Sequence, residues 1–384
     1  MFKVCKVIPK AFSKPNEPAN GFQKHVLGKE YQRILYPYNL FLTLFFSSKY
    51  FIRGNQISPI GNCTIFLQSL ACFYIVAVSI YILTLSDIFF FIPNGNISIV
   101  RFISIFLPTT RCINFIINFI LNIRNRHNNV LFIVLMQNIH ENVKPIKMRR
   151  FIILNWIFVS ILVLIIALAF ILVSRFVQYH DNLKTVCEII MVCFEIDFIY
   201  SIRVLVLLSK YVEHWIKNVD LMSEDRVDSD EVYCKKLFAT YVKILEAFDV
   251  YKVLYEVLVL YRVINAFGRN LCFVEFMLQV VKIKEQNNGK LPTSSVIMGF
   301  LSLMAIVKDL VQVGFHCVYC EKFYIALEDA EEACLRLMKN GNYTSKKFNK
   351  MTACGLFNVD AKLPLSLLEY FASYAIVLLQ FAFL

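Results

Sequence analysis

The stretch FIILNWIFVSILVLIIALAFILVS, Phe151–Ser174, runs for 24 residues without a charge, between Arg149-Arg150 and Arg175. About 20 apolar residues cross the hydrocarbon of a bilayer as a helix, so this segment is long enough to span. The whole chain agrees with that reading. Mean hydropathy is +0.58, with 58% hydrophobic and only 18% charged residues over 384 positions. Soluble domains hold roughly 45–50% apolar and about 25% charged residues. With 36 Phe against 11 Gly and 10 Pro, the surplus lies in large side chains suited to lipid. The expected class is an all-α, polytopic membrane protein.

Outward from this segment, further apolar runs fall at about 65–85, 97–123, 186–208, 263–283, 294–318 and 363–384, which makes seven spans. Residues 1–61 read as a basic tail followed by an interfacial or re-entrant helix over 31–51, broken by Pro37. Residues 62–208 hold spans one to four, and 263–318 hold spans five and six. Between them, 209–262 is an amphipathic extension: Leu237, Tyr241, Leu245 and Phe248 recur at helical spacing among Lys and Glu. Residues 319–362 form a second such segment, and 363–384 form the last span. The stretch 124–150 reads as a mostly polar connection.

Lys and Arg decide the orientation. The N-terminal region to residue 61 carries nine, 124–150 six, 209–262 eight and 319–362 seven. The opposite loops carry only Arg175, Lys184, Lys284 and Lys290. Positive residues stay in the cytoplasm. The N-terminus is therefore expected inside, in keeping with the lack of an apolar leader after Met1, and the C-terminus outside. This spread of charge also accounts for the net +12 without nucleic acid as a partner. The 12 Cys suggest no disulfide framework, and His316 with Cys317 and Cys320 lacks the second pair that a zinc site needs. No metal, cofactor or enzyme site is expected, since no phosphate loop or nucleophile elbow occurs.

The last span ends Ser373-Tyr374, five apolar residues, Gln380-Phe381. This resembles the Thr-Tyr-(five hydrophobic)-Gln-Phe signature of the insect gustatory receptors, with Ser373 keeping the hydroxyl of the usual Thr. Gly355-Leu356-Phe357-Asn358-Val359-Asp360 is similar to that family's approach to its last helix. Length, seven spans, inside N-terminus and long cytoplasmic extensions fit as well. The resemblance implies a homo- or heterotetrameric ligand-gated cation channel in the plasma membrane of sensory neurons. It further implies last helices around a common pore, a cytoplasmic anchor, and a tastant pocket among the first six spans. An odorant-receptor-like channel subunit is the alternative within the same superfamily. A multipass transporter is the rival class, although no internal repeat supports it. The two Trp, Trp156 and Trp215, fall on the inner side, which leans toward non-sugar, bitter-type ligands.

An unpaired amide is costly in hydrocarbon, so Gln380 should meet protein or water. At 100° per residue, Ser373, Val377 and Gln380 share one stripe, while Tyr374, Leu378 and Phe381 share its neighbour. Gln380 and Phe381 are the expected constriction, with Val377, Ser373 and Tyr374 along the wall. Candidate ligand contacts are Arg101, Phe106, Glu188, Glu195, Gln279, Met298 and Ser302, with Arg101 a conceivable partner of Glu195. Asp309, Gln312 and His316 share one face of the sixth span, with Lys308 adjacent, and the four read as a structural polar network.

Overall fold

The structure is a computed structural model, described here for residues 25–89, 97–143, 148–176, 189–190, 192–224, 231–286, 293–338 and 348–383. Among these residues nine helices form: α1 Lys29–Leu44, α2 Asn62–Phe89, α3 Ile97–Arg124, α4 Arg126–Val143, α5 Arg149–Phe176, α6 Val192–Glu224, α7 Glu231–Gln286, α8 Thr293–Met338 and α9 Lys362–Phe383. The fold is all-helical apart from one small sheet. Among the described residues five helices, α2, α5, α7, α8 and α9, are long and apolar enough to cross a membrane.

Helix α5 shows how sequence becomes packing. Phe151, Asn155, Val159 and Leu162 fall on one stripe and are buried, whereas Ile153, Ile157, Ile161, Leu164 and Leu168 are exposed. Exposed apolar side chains on this scale on a long helix suit lipid contact. The one amide on the buried stripe is satisfied: Asn155 Nδ2 donates to the Ile34 carbonyl at 3.0 Å, and its Oδ1 accepts from Arg203 Nε at 2.8 Å.

Helix α6 behaves differently. From Val192 to Ser209 almost every side chain is buried, charged ones included. It is the axis of the bundle, surrounded by α3, α4, α5, α7 and α8. A helix buried on all sides can hold Glu195, Asp197 and Arg203 at its centre because protein partners replace water.

Helices α7 and α8 contain 56 and 46 residues. At 1.5 Å per residue they run about 84 and about 69 Å, far more than the ~30 Å of a hydrocarbon core. The expected boundary between the extension and the fifth span at 262/263 leaves no break, and α7 is one continuous helix. Apolar stripes such as Leu237, Tyr241, Leu245 and Phe248 remain buried along its first half, so that segment packs against its neighbours. In α6, Trp215 is fully buried there and donates Nε1 to the Leu237 carbonyl at 2.8 Å.

Two readings at the N-terminal side are corrected. The helix over 31–51 stops at Leu44 and continues through Pro37, after which Phe46 turns the chain with φ 56°. The strands β1 His25–Val26, β2 Tyr50–Arg53 and β3 Gln56–Pro59 then build an antiparallel sheet in the order β1-β3-β2. Its two-residue loop places Gly54 at φ 62°, a conformation Gly adopts without steric cost. The stretch 124–150 is also more than a connection. Helix α4 buries Val130, Phe132, Ile133, Met136 and Ile139 in the core.

Before α9, Cys354 and Gly355 take positive φ (51° and 76°) in a tight turn between Ala353 and Phe357. This turn is pinned to α8. Tyr324 Oη donates to the Val359 carbonyl at 3.0 Å and accepts from the Met351 N–H at 3.1 Å. Asp360 Oδ1 then accepts the Lys362 N–H at the entry to α9, as an N-terminal cap does.

Candidate functional site: a charged hub on helix α7

Arg262 is fully buried, 1% exposed, at the meeting point of α6, α7 and α8. Its Nη1 and Nη2 donate to Glu195 Oε1 and Oε2 at 2.9 and 2.8 Å, a bidentate pair. Nη2 also reaches Asp309 Oδ1 at 3.3 Å and Gln312 Oε1. Two turns along the same face of α7, Arg269 donates Nε to Asp309 Oδ2 at 2.8 Å, and its Nη2 binds the same oxygen. Lys308 closes the ring, with Nζ at 2.7 Å from Glu195 Oε1 and 3.4 Å from Asp309 Oδ1. The guanidinium of Arg262 lies over Phe198 and Phe194, 5.2 and 5.6 Å from the ring centroids.

Three helices are thus tied at one level by three cations and two carboxylates. Such a set survives burial only because each charge is multiply hydrogen-bonded, since removing one partner strands the others without water. The cations outnumber the carboxylates by one within the cluster. Lys308 and Arg269 are its less buried members, their side chains 29% and 16% exposed.

The same short stretch of α7 reaches two more helices. Tyr261 Oη donates to the Thr110 carbonyl of α3 at 2.6 Å. Gly268 lets the Phe106 ring of α3 approach the helix backbone, since an added Cβ would stand 2.9 Å from Phe106 Cζ. Phe267 meets Tyr374 of α9 edge to face, with centroids 5.7 Å apart. Residues 261–269 therefore touch α3, α6, α8 and α9 within about two turns of helix.

The structure brings Glu195, Lys308, Asp309 and Gln312 together around Arg262. His316 stands apart from them, with Nε2 hydrogen-bonded to Tyr251 Oη at 3.1 Å and its ring 5.3 Å from Phe198. Glu195 pairs with Arg262 and Lys308; the side chain of Arg101 lies outside the described residues. So do the side chains of Gln279, Met298 and Phe381, and all of Glu188. Phe106 is half-buried against Gly268, and Ser302 is buried. Sequence reasoning missed Arg262 and Arg269. Their seven-residue spacing matches that of Asp309 to His316, but a segment boundary drawn at 262/263 hid it.

In α9, Leu367, Phe371, Ala375 and Leu378 form the stripe that leans on the bundle. Ser373, Val377 and Gln380 lie on the opposite face and are exposed. The Ser373 hydroxyl bonds back to the Glu369 carbonyl at 2.9 Å. No protein-family model matches the chain, and no curated protein matches its sequence significantly.

Proposed function

We propose that the chain is one subunit of a tetrameric, ligand-gated cation channel of the gustatory-receptor kind. In this reading it has seven spans, a cytoplasmic N-terminus and an outside C-terminus in the plasma membrane. The observation that carries it is the state of α9. Only 6% of its Lys362–Gln380 window is buried within the chain, and its outward face presents Ser373, Val377 and Gln380. The Ser373 hydroxyl is met by its own helix, but an amide on the outer face of an apolar helix needs protein or water rather than lipid. Copies of α9 around a common axis supply both. Moderately apolar groups beside one amide suit a pore that gates by dewetting.

The hub supplies the coupling. A ligand that changes how α6, α7 and α8 sit around Arg262 moves the stretch that carries Phe267, and Phe267 bears on Tyr374 beside the pore face. A small-molecule tastant is the activating ligand in this reading, and lipid and sister subunits are the other partners. The test is whole-cell recording from cells expressing the chain alone, against a panel of tastants. A ligand-evoked cation current is expected, and Gln380→Ala should alter its selectivity or block. Saturable substrate flux without channel conductance would sink the proposal in favour of a transporter.

A further inference from the structure

Away from the hub, five asparagines line one side of α3 and the start of α4: Asn114, Asn118, Asn122, Asn125 and Asn129, all buried. Spacings of four, four, three and four residues keep them on one stripe. Asn118 and Asn122 are satisfied by Ser47 Oγ, at 3.0 and 3.2 Å. Asn125 and Asn129, each 5% exposed, receive no side-chain hydrogen bond from the described residues. Both face a small cavity of about 10 Å³, lined also by Lys49, Asn118, Asn122, Leu121, Asp197, Leu254 and Leu258. Lys49 and Asp197 form a buried ion pair at 2.7 Å, and Lys49 Nζ stands 4.8 Å from the Tyr255 ring centroid.

We infer that this cavity is a built hydration site, in which an ordered water bridges the Asn125 and Asn129 amides to the Lys49–Asp197 pair. Three observations select the occupant. A volume of about 10–15 Å³ admits one water and excludes organic ligands. Two buried amides without protein partners cost more than a hydrogen-bonded pair, so a polar guest is favoured. Among the described residues, the charged lining consists of one cation and one anion in contact, so a bare cation is repelled by Lys49 and a bare anion by Asp197. A neutral dipole meets neither objection. The bridged water fastens the turn after α1, which carries Lys49, to the α3–α4 elbow and to the bundle axis α6.

The test is a cryo-electron-microscopy map of the full chain in lipid nanodiscs, at a resolution that shows ordered water. A peak is expected at hydrogen-bond distance, about 2.7–3.2 Å, from both amides. It should be unchanged when sodium chloride is replaced by rubidium bromide, and lost in Asn129→Leu. A cavity without density, a peak that strengthens with rubidium or bromide, or a peak that persists in Asn129→Leu would each overturn the inference.

Discussion

The middle of α7 and the length of α9 are opposite solutions to the same environment. In α7, 44% of the spanning window is buried and Arg262 and Arg269 are ion-paired; in α9 the figure is 6%, and the outward Gln380 is exposed. The first is complete as folded: Arg262 finds Glu195, Asp309 and Gln312 within one subunit. The second leaves nearly all of its length exposed among the described residues. Stability should therefore be concentrated at the hub, and, if the proposed channel function holds, conduction on α9.

The largest effect should come from Arg262→Ala, which removes the bidentate partner of Glu195 and leaves the buried cluster to Lys308 and Arg269. A loss of about 3–5 kcal/mol is expected, read as a lower thermal unfolding midpoint of the detergent-purified protein. A variant that melts with the wild type would erase the distinction between the two helices. Next comes the aromatic contact of Phe267 with Tyr374, which joins them among the described residues. Tyr374→Ala should cost about 0.5–1.5 kcal/mol and, in recordings, weaken the response to ligand more than single-channel conductance. Equal losses in both would place Tyr374 in the pore wall instead of the linkage.

A smaller, graded effect is expected from pH. His140 of α4 is buried, with Nδ1 bonded to Tyr211 Oη at 3.0 Å. Burial lowers its pKa, outweighing the pull of Glu30 and Glu141 in the other direction. The unfolded chain then binds that proton more readily than the folded one, so stability is full above about pH 6.5 and falls as pH drops below it. His140→Gln should flatten the dependence of melting temperature on pH between about 7.5 and about 5.5. The smallest stability effect belongs to Gln380→Ala. Its exposed site predicts a change within about 0.5 kcal/mol, alongside altered ion permeation. A large drop in the stability of the isolated subunit would mean that α9 is finished within the chain after all.

These contrasts bear on how much could be read beforehand. The apolar lengths of α2, α5 and α9 are visible in composition because nothing but lipid-facing residues can fill such faces. The amphipathic character of the 209–262 extension is legible from its periodicity. The partner of Glu195 was not: among Lys308, Arg262, Arg269 and Arg101, only the packing of α6 between α7 and α8 selects the first two. Lys49 counts among the nine basic residues of the N-terminal region, whereas it is buried 2.7 Å from Asp197 because the chain turns inward after Leu44. Helix α4 was missed because Asn129, His140 and Glu141 dilute an apolar stripe that only its packing against α6 and α7 makes evident.

By itself, then, the sequence determined an all-helical chain of long apolar segments with basic flanks, because hydrophobic length and charge placement are local quantities. Which charges meet, which face of α9 turns away from the bundle, and where two asparagines are left for water were decided by tertiary structure alone. Each depends on distances between residues tens to more than a hundred positions apart, and no periodicity within one helix encodes them.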